Sequence, residues 1–152
     1  MKLPRVATLI FVAALAVAAC SSAATPSTQS GVTIATTTTP LGTFLVGPNG
    51  NTLYLFEADT TAVPTCSGDC AKTWLPLTTS GQPVAGPGVK AALLSTSQRG
   101  DGTSQVVYNG HPLYSFIGDA KAGDTSGEGL NCFGAAWDVV SSAGAKIEKP
   151  GG

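Results

Sequence analysis

Methionine and histidine are almost missing from this sequence: Met1 is the only methionine and His111 the only histidine. Once an N-terminal leader is removed, no thioether remains, which excludes methionine-ligated copper. A single imidazole rules out Ser-His and Cys-His catalysis unless His111 itself takes part. Charge is sparse too, with 8 Lys and Arg, 9 Asp and Glu, and no basic cluster, so nucleic acid is not an expected partner. The chain has no G-x-S-x-G, no H-E-x-x-H, no phosphate-binding loop and no C-x-x-C-H haem motif. No two carboxylates are placed together as glycoside hydrolysis needs. These absences point away from an enzyme.

What is present begins with an address. Lys2 and Arg5 precede an apolar run from Val6 to Ala19, which has signal-peptide length and is too short to span a bilayer comfortably. The run ends in Val17-Ala18-Ala19-Cys20, which resembles a bacterial lipobox. That resemblance implies cleavage after residue 19, a diacylglyceryl group on the Cys20 thiol and a further acyl chain, such as palmitate, on its amine. Several acyl chains hold a protein durably where one holds it marginally. Removing residues 1–19 takes two basic and no acidic residues, leaving a net charge of −3. Residues 20–40 are rich in Ser, Thr and Pro and read as a lipidated Cys followed by a flexible tether. The expectation is an extracytoplasmic protein anchored to a bacterial membrane and facing an unknown envelope partner.

Residues 41–148 make one domain, followed by a short tail at 149–152. Asn49-Gly50-Asn51-Thr52-Leu53-Tyr54-Leu55-Phe56-Glu57-Ala58-Asp59 is echoed sixty positions later by Asn109-Gly110-His111-Pro112-Leu113-Tyr114-Ser115-Phe116-Ile117-Gly118-Asp119. Asn-Gly between strand-like runs is a hairpin signal, because both residues tolerate positive φ. Strands are expected at Thr43–Val46, Thr52–Phe56, Ser104–Tyr108 and Leu113–Phe116, with a short one at Val89–Leu94 and a closing one from Trp137. Tyr54 shares a strand face with Phe56, and Tyr114 with Phe116, as for half-buried aromatics. Asp59 and Asp119 follow their strands, where an Asp caps a turn, or else pairs with Tyr at a ligand or proton-transfer site. Trp74 and Trp137 follow the two Tyr at similar distances. The fold class is therefore mostly β, with two tandem hairpin-based repeats (about 41–80 and 102–142) packed as one small pseudo-twofold domain.

Both Tyr-x-Phe-x-x-Asp hexads fit the Y-x4-D motif, written Yx(F/W/Y)xxD, of a secreted-repeat bacterial lipoprotein family. Cys66-Ser67-Gly68-Asp69-Cys70 followed by Trp74, Tyr108-Asn109-Gly110-His111-Pro112, Gly123-Asp124-Thr125 and Trp137 resemble that family as well. The resemblance implies architecture and a secretory address. It implies no chemistry, because the family's function is unknown.

The cysteines and one loop offer further chemistry. An oxidising compartment makes a disulfide the default. Cys66–Cys70 with Cys132 free is the first arrangement, and Cys132 paired with Cys70 or Cys66 is the second. Three Cys with His111 have the composition of a zinc site, though without paired knuckles. Asp124, Ser126 and Glu128 fall at alternating positions like the start of a calcium loop, but Ala135 stands where an EF-hand needs Glu. No cofactor is expected, with calcium or zinc as the alternatives. The functional expectation is a binding or structural role at the cell envelope. The alternative is redox or metal handling by Cys66, Cys70, Cys132 and His111.

Overall fold

The computed structural model describes residues 31–148. The leader, Cys20, most of the tether and the tail at 149–152 lie outside the described residues. Strands β1 (Thr33–Thr39) and β2 (Gly42–Val46) form a hairpin, and β3 (Tyr54–Phe56) follows. A short helix α1 (Asp69–Thr73) leads into β4 (Trp74–Pro76), and β5 (Val84–Ala85) lies in the connector. The second half repeats the plan with β6 (Leu94–Gln98), β7 (Ser104–Tyr108), β8 (His111–Pro112), β9 (Tyr114–Phe116), β10 (Leu130–Cys132) and β11 (Ala135–Val139). Among the described residues three sheets result, ordered β2-β1-β5, β10-β11-β3-β9-β4 and β6-β7-β8.

Both Asn-Gly steps take the left-handed backbone that marks them as turns. Asn109 and Gly110 have φ of 50° and 83°, and Asn49 and Gly50 have φ of 60° and 75°. Tyr108 faces His111 across the second turn, giving a two-residue hairpin.

Two expectations need correction. The tether was expected to run to Pro40, yet Thr33–Thr39 is a strand paired with β2 and β5. Its threonines read as low complexity, but β-branched residues also suit a half-exposed strand. The expected strand at Val89–Leu94 is instead a tight 3-10 turn at Ala91–Leu93, and β6 starts at Leu94. Both repeats thus begin one polar strand earlier than periodicity suggested.

The repeats do not fold side by side. They exchange strands. In the central sheet β3 pairs with β11, and β9 with β4, so each Tyr-x-Phe strand is held by the Trp strand of the other repeat. Trp137 sits opposite Phe56, Trp74 opposite Phe116, and Tyr54 meets Tyr114 at the centre. Backbone bonds beyond the sheet are equally reciprocal. Leu45 N–H donates to Val140 O, Leu53 N–H to Leu45 O and Val140 N–H to Leu53 O. Val106 N–H donates to Leu77 O, Leu113 N–H to Val106 O and Leu77 N–H to Leu113 O. This reciprocity supports a pseudo-twofold arrangement.

Two apolar layers sit on the faces of the central sheet. One gathers Phe44, Tyr54, Phe56, Trp74, Tyr114, Trp137 and Val139, together with the Cys66–Cys70 pair. Within it Trp74 and Trp137 stack at 4.0 Å and 3° between planes. Phe56 lies on Trp137 at 4.2 Å and Phe116 on Trp74 at 4.4 Å, which makes a four-ring pile. The other layer gathers Ile34, Leu45, Leu53, Leu55, Val106, Tyr108, Leu113 and Val140.

The outer edges of the two Trp strands are finished differently. Val139 occupies the place in β11 that Pro76 occupies in β4, since they face Tyr54 and Tyr114 respectively. Val139 N–H points away from β3 and donates to the buried Glu128 Oε2 at 2.7 Å, while Val139 O accepts from Ile147 N–H. Proline has no N–H, so β4 needs no acceptor there. Glu128→Ala should therefore strand a buried donor and cost about 1–3 kcal/mol in denaturant unfolding, with Glu128→Gln milder because it keeps an acceptor. A parental unfolding midpoint for the Ala variant would contradict the role given to Glu128.

Candidate functional site

The repeated Tyr and Asp meet, but across repeats rather than within them. Tyr54 Oη donates to Asp119 Oδ2 at 2.7 Å, and Tyr114 Oη donates to Asp59 Oδ2 at 2.6 Å. The second oxygen of each carboxylate caps its own loop. Asp59 Oδ1 accepts Thr65 N–H at 2.7 Å, and Asp119 Oδ1 accepts Ser126 N–H at 2.9 Å. Each Asp is at once a turn cap for its own repeat and an acceptor for the other repeat's phenol. Both phenols are fully buried. Burial, together with the carboxylate beside each, pushes their pKa well above the ordinary tyrosine value.

The two clasps differ in their surroundings. Asp59 is buried, and its partner Tyr114 feels the charge of Arg99, whose side chain is only 7 % exposed. Arg99 donates to Gln105 Oε1 at 2.6 Å and to Cys66 O at 2.7 Å. Gln105, itself fully buried, donates to Leu113 O. The charge of Arg99 and hydrogen bonding by Gln105 partly offset the rise at Tyr114. Asp119 is half-buried, and desolvation raises its pKa. Arg99 and Gln105 gave no signal in the sequence, because a lone buried Arg beside a Gly-rich turn reads as a loop residue.

An open groove of about 710 Å³ runs beside the Asp59 clasp. Its walls come from the segment after β3 (Glu57, Thr60), the Asn-Gly-His turn (Asn109, His111) and the turn before Ile147 (Gly144, Lys146). Lys146 bridges Glu57 at 2.8 Å and Glu148 at 3.2 Å. Asn109 Nδ2 donates to Gly144 O, tying two walls together. Asp138 faces Leu55 on the sheet behind the groove and is 6 % exposed, with Oδ2 lacking a hydrogen-bond partner among the described residues. Its counterpart in β4 is the exposed Leu75.

The thiols and the loop do not converge. Cys66 and Cys70 form a disulfide with Cα atoms 5.4 Å apart, and Cys132 is free. Cys132 Sγ accepts the Trp74 indole N–H at 3.3 Å, and Cys132 O accepts that of Trp137 at 3.1 Å. His111 stands in the groove wall. Asp124 Oδ2 accepts Ala120 and Lys121 N–H groups, Ser126 N–H goes to Asp119 and Glu128 reaches Val139. Among the described residues no three His, Cys, Asp or Glu side chains are grouped as metal ligands. The arrangement of Asp124, Ser126 and Glu128 is that of a self-capped loop.

Two segments of the chain, residues 35–78 and 95–141, match the family model described as a secreted repeat of unknown function. The chain belongs to that family. No match is found among the curated proteins or among the solved structures. The two matched segments begin within β1 and β6, in keeping with the strands seen here. Membership places the protein outside the cytoplasm.

Burial pushes the Asp138 carboxyl above its usual range, helped by Glu57 and opposed by Lys146. A carboxyl raised in the folded state favours folding when protonated. Its contribution is present below the unfolded pKa and is lost as pH rises through the folded one. Asp138→Asn should therefore be more stable than the parent at neutral pH, and the gain should vanish towards about pH 4. Melting curves across that range check it, and a difference independent of pH would refute the assignment.

Proposed function

We propose that this secreted-repeat protein is an envelope lipoprotein, tethered through Cys20, whose rigid duplicated domain binds an envelope partner through the groove beside Asp59. The observation that carries this reading is the internal use of the repeated motif. Tyr54, Asp59, Tyr114 and Asp119 spend their polar atoms on one another and on loop caps, so the motif works as a fastener. Recognition then falls to the surface that this fastener holds in shape. The groove brings together segments distant in sequence, with Thr60 and His111 on its walls and an Asn109 bond tying two of those walls together. Preorganisation of this kind favours binding, because less freedom is lost when a partner docks.

The lipobox at Val17–Cys20 supports the anchor. Cys20→Ala should move the protein from the membrane to the soluble fraction or stall leader cleavage, read by fractionation and intact mass. Unchanged fractionation with unchanged mass would overturn the anchor. His111→Ala together with Thr60→Ala should keep the parental melting temperature and lose whatever partner the parent captures from native membranes. Capture that survives this pair of changes would move the binding surface elsewhere.

A further inference from the structure

The two clasps are joined to each other through the aromatic pile. Tyr54 packs edge-on to Trp74 at 5.2 Å, Trp74 stacks on Trp137 at 4.0 Å, and Trp137 meets Tyr114 edge-on at 5.2 Å. Each end is closed by a carboxylate hydrogen-bonded to the phenol. These are the four side chains of the aromatic core that surrender an electron most readily, and they touch in one unbroken line. Phe56 and Phe116, which resist oxidation, lie outside it as the outer rings of the stack.

We propose that the line Tyr54–Trp74–Trp137–Tyr114 is a relay for one-electron oxidising equivalents, with Asp119 and Asp59 receiving the phenol protons at its two ends. A small oxygen-centred radical first takes an electron from an indole and is reduced to its anion as the indole becomes a radical cation. The adjoining tyrosine returns an electron to the indole. In the same event its O–H bond breaks and the proton forms an O–H bond on the carboxylate. The products are a neutral tyrosyl radical, a neutral carboxylic acid, a restored indole and the reduced oxidant. A small thiolate resets the site by giving one electron to the tyrosyl radical while the carboxylic acid returns its proton to the phenol oxygen, the thiolate leaving as a thiyl radical.

The carboxylates make the step feasible in a dry core. A tyrosine that lost only an electron would leave a buried cation, which low-dielectric surroundings penalise heavily. Transfer to a bonded carboxylate removes that charge within one hydrogen-bond length. The third tyrosine supplies a contrast inside the same molecule. Tyr108 is as deeply buried, but its hydroxyl donates to the Ser142 carbonyl, which cannot take the proton. The relay borders the binding groove at Asp59, but its aromatic line lies in the core and needs no partner in the groove.

The test is favourable because Trp74 and Trp137 are the only tryptophans in the chain and Tyr54, Tyr108 and Tyr114 the only tyrosines. Azidyl radicals generated by pulse radiolysis would oxidise the purified full-length protein, and the indolyl and tyrosyl radicals are followed by their separate absorption bands. The indolyl signal should decay into a tyrosyl signal at a rate independent of protein concentration and slower in deuterium oxide. The tyrosyl signal should be lost in Tyr54→Phe with Tyr114→Phe and kept in Tyr108→Phe. Asp59→Asn with Asp119→Asn should slow its growth while leaving the phenols in place. Repeating the experiment in Cys132→Ser removes the free thiol as a competing sink. Conversion that persists without Tyr54 and Tyr114, or an indolyl radical in the unsubstituted protein that decays only bimolecularly, would overturn the proposal. So would conversion in that protein with no isotope effect, a reading that does not depend on any variant folding.

Discussion

A phenol buried in one repeat and satisfied by a carboxylate of the other is the constraint on which the rest of this structure depends. Neither repeat can settle its own Tyr. Tyr54 needs Asp119, and Tyr114 needs Asp59. Leaving either hydroxyl without its acceptor would cost the desolvation of a buried polar group. The exchange of Trp strands follows the same logic, because Trp74 and Trp137 complete the other repeat's sheet and then stack on each other at the centre. A single copy would expose an unpaired Tyr-x-Phe strand and one face of its Trp. Duplication therefore makes the core, and does not merely lengthen the chain.

Within that reciprocal frame the two halves have drifted apart, and the differences fall at the edges. One Trp strand drops a donor through Pro76, whereas the other keeps Val139 N–H and supplies Glu128. One Asp is buried, with Arg99 and Gln105 acting on the phenol it holds, whereas the other stays near solvent. One end of the sheet carries Leu75 and Ile117 in the open, and the matching end carries Asp138 and Glu57 beside Lys146. The shared contacts hold the fold, so divergence is tolerated where only one half's environment is affected. The groove lies on the diverged side.

Much of this architecture was legible in the residues. The Asn-Gly turns, the period-two aromatics and the sixty-residue echo carried the hairpins and the repeats, because each has a local physical cause. The first strand of each repeat was harder to read. β1 and β6 are polar and half-exposed, and they gain their order by pairing rather than by burying a stripe. In the sequence each Asp reads first as a turn cap and only alternatively as a partner of Tyr, and spacing within a hexad says nothing about which copy closes such a bond. Arg99, Gln105 and the Glu57–Lys146 wall were invisible for the same reason. They matter through neighbours 6 to 89 positions away in the chain.

The claim that the repeats lock each other through exchanged Tyr–Asp bonds is tested most directly by double-mutant cycles on unfolding free energy. Tyr54→Phe combined with Asp119→Ala should be non-additive, with a coupling of about 1.5–3 kcal/mol, as for a buried hydrogen bond to a charged group. Tyr54→Phe combined with Asp59→Ala, the pair within one repeat, should be additive to within about 0.5 kcal/mol. The reverse pattern, with coupling inside the hexad and none across it, would contradict the exchange.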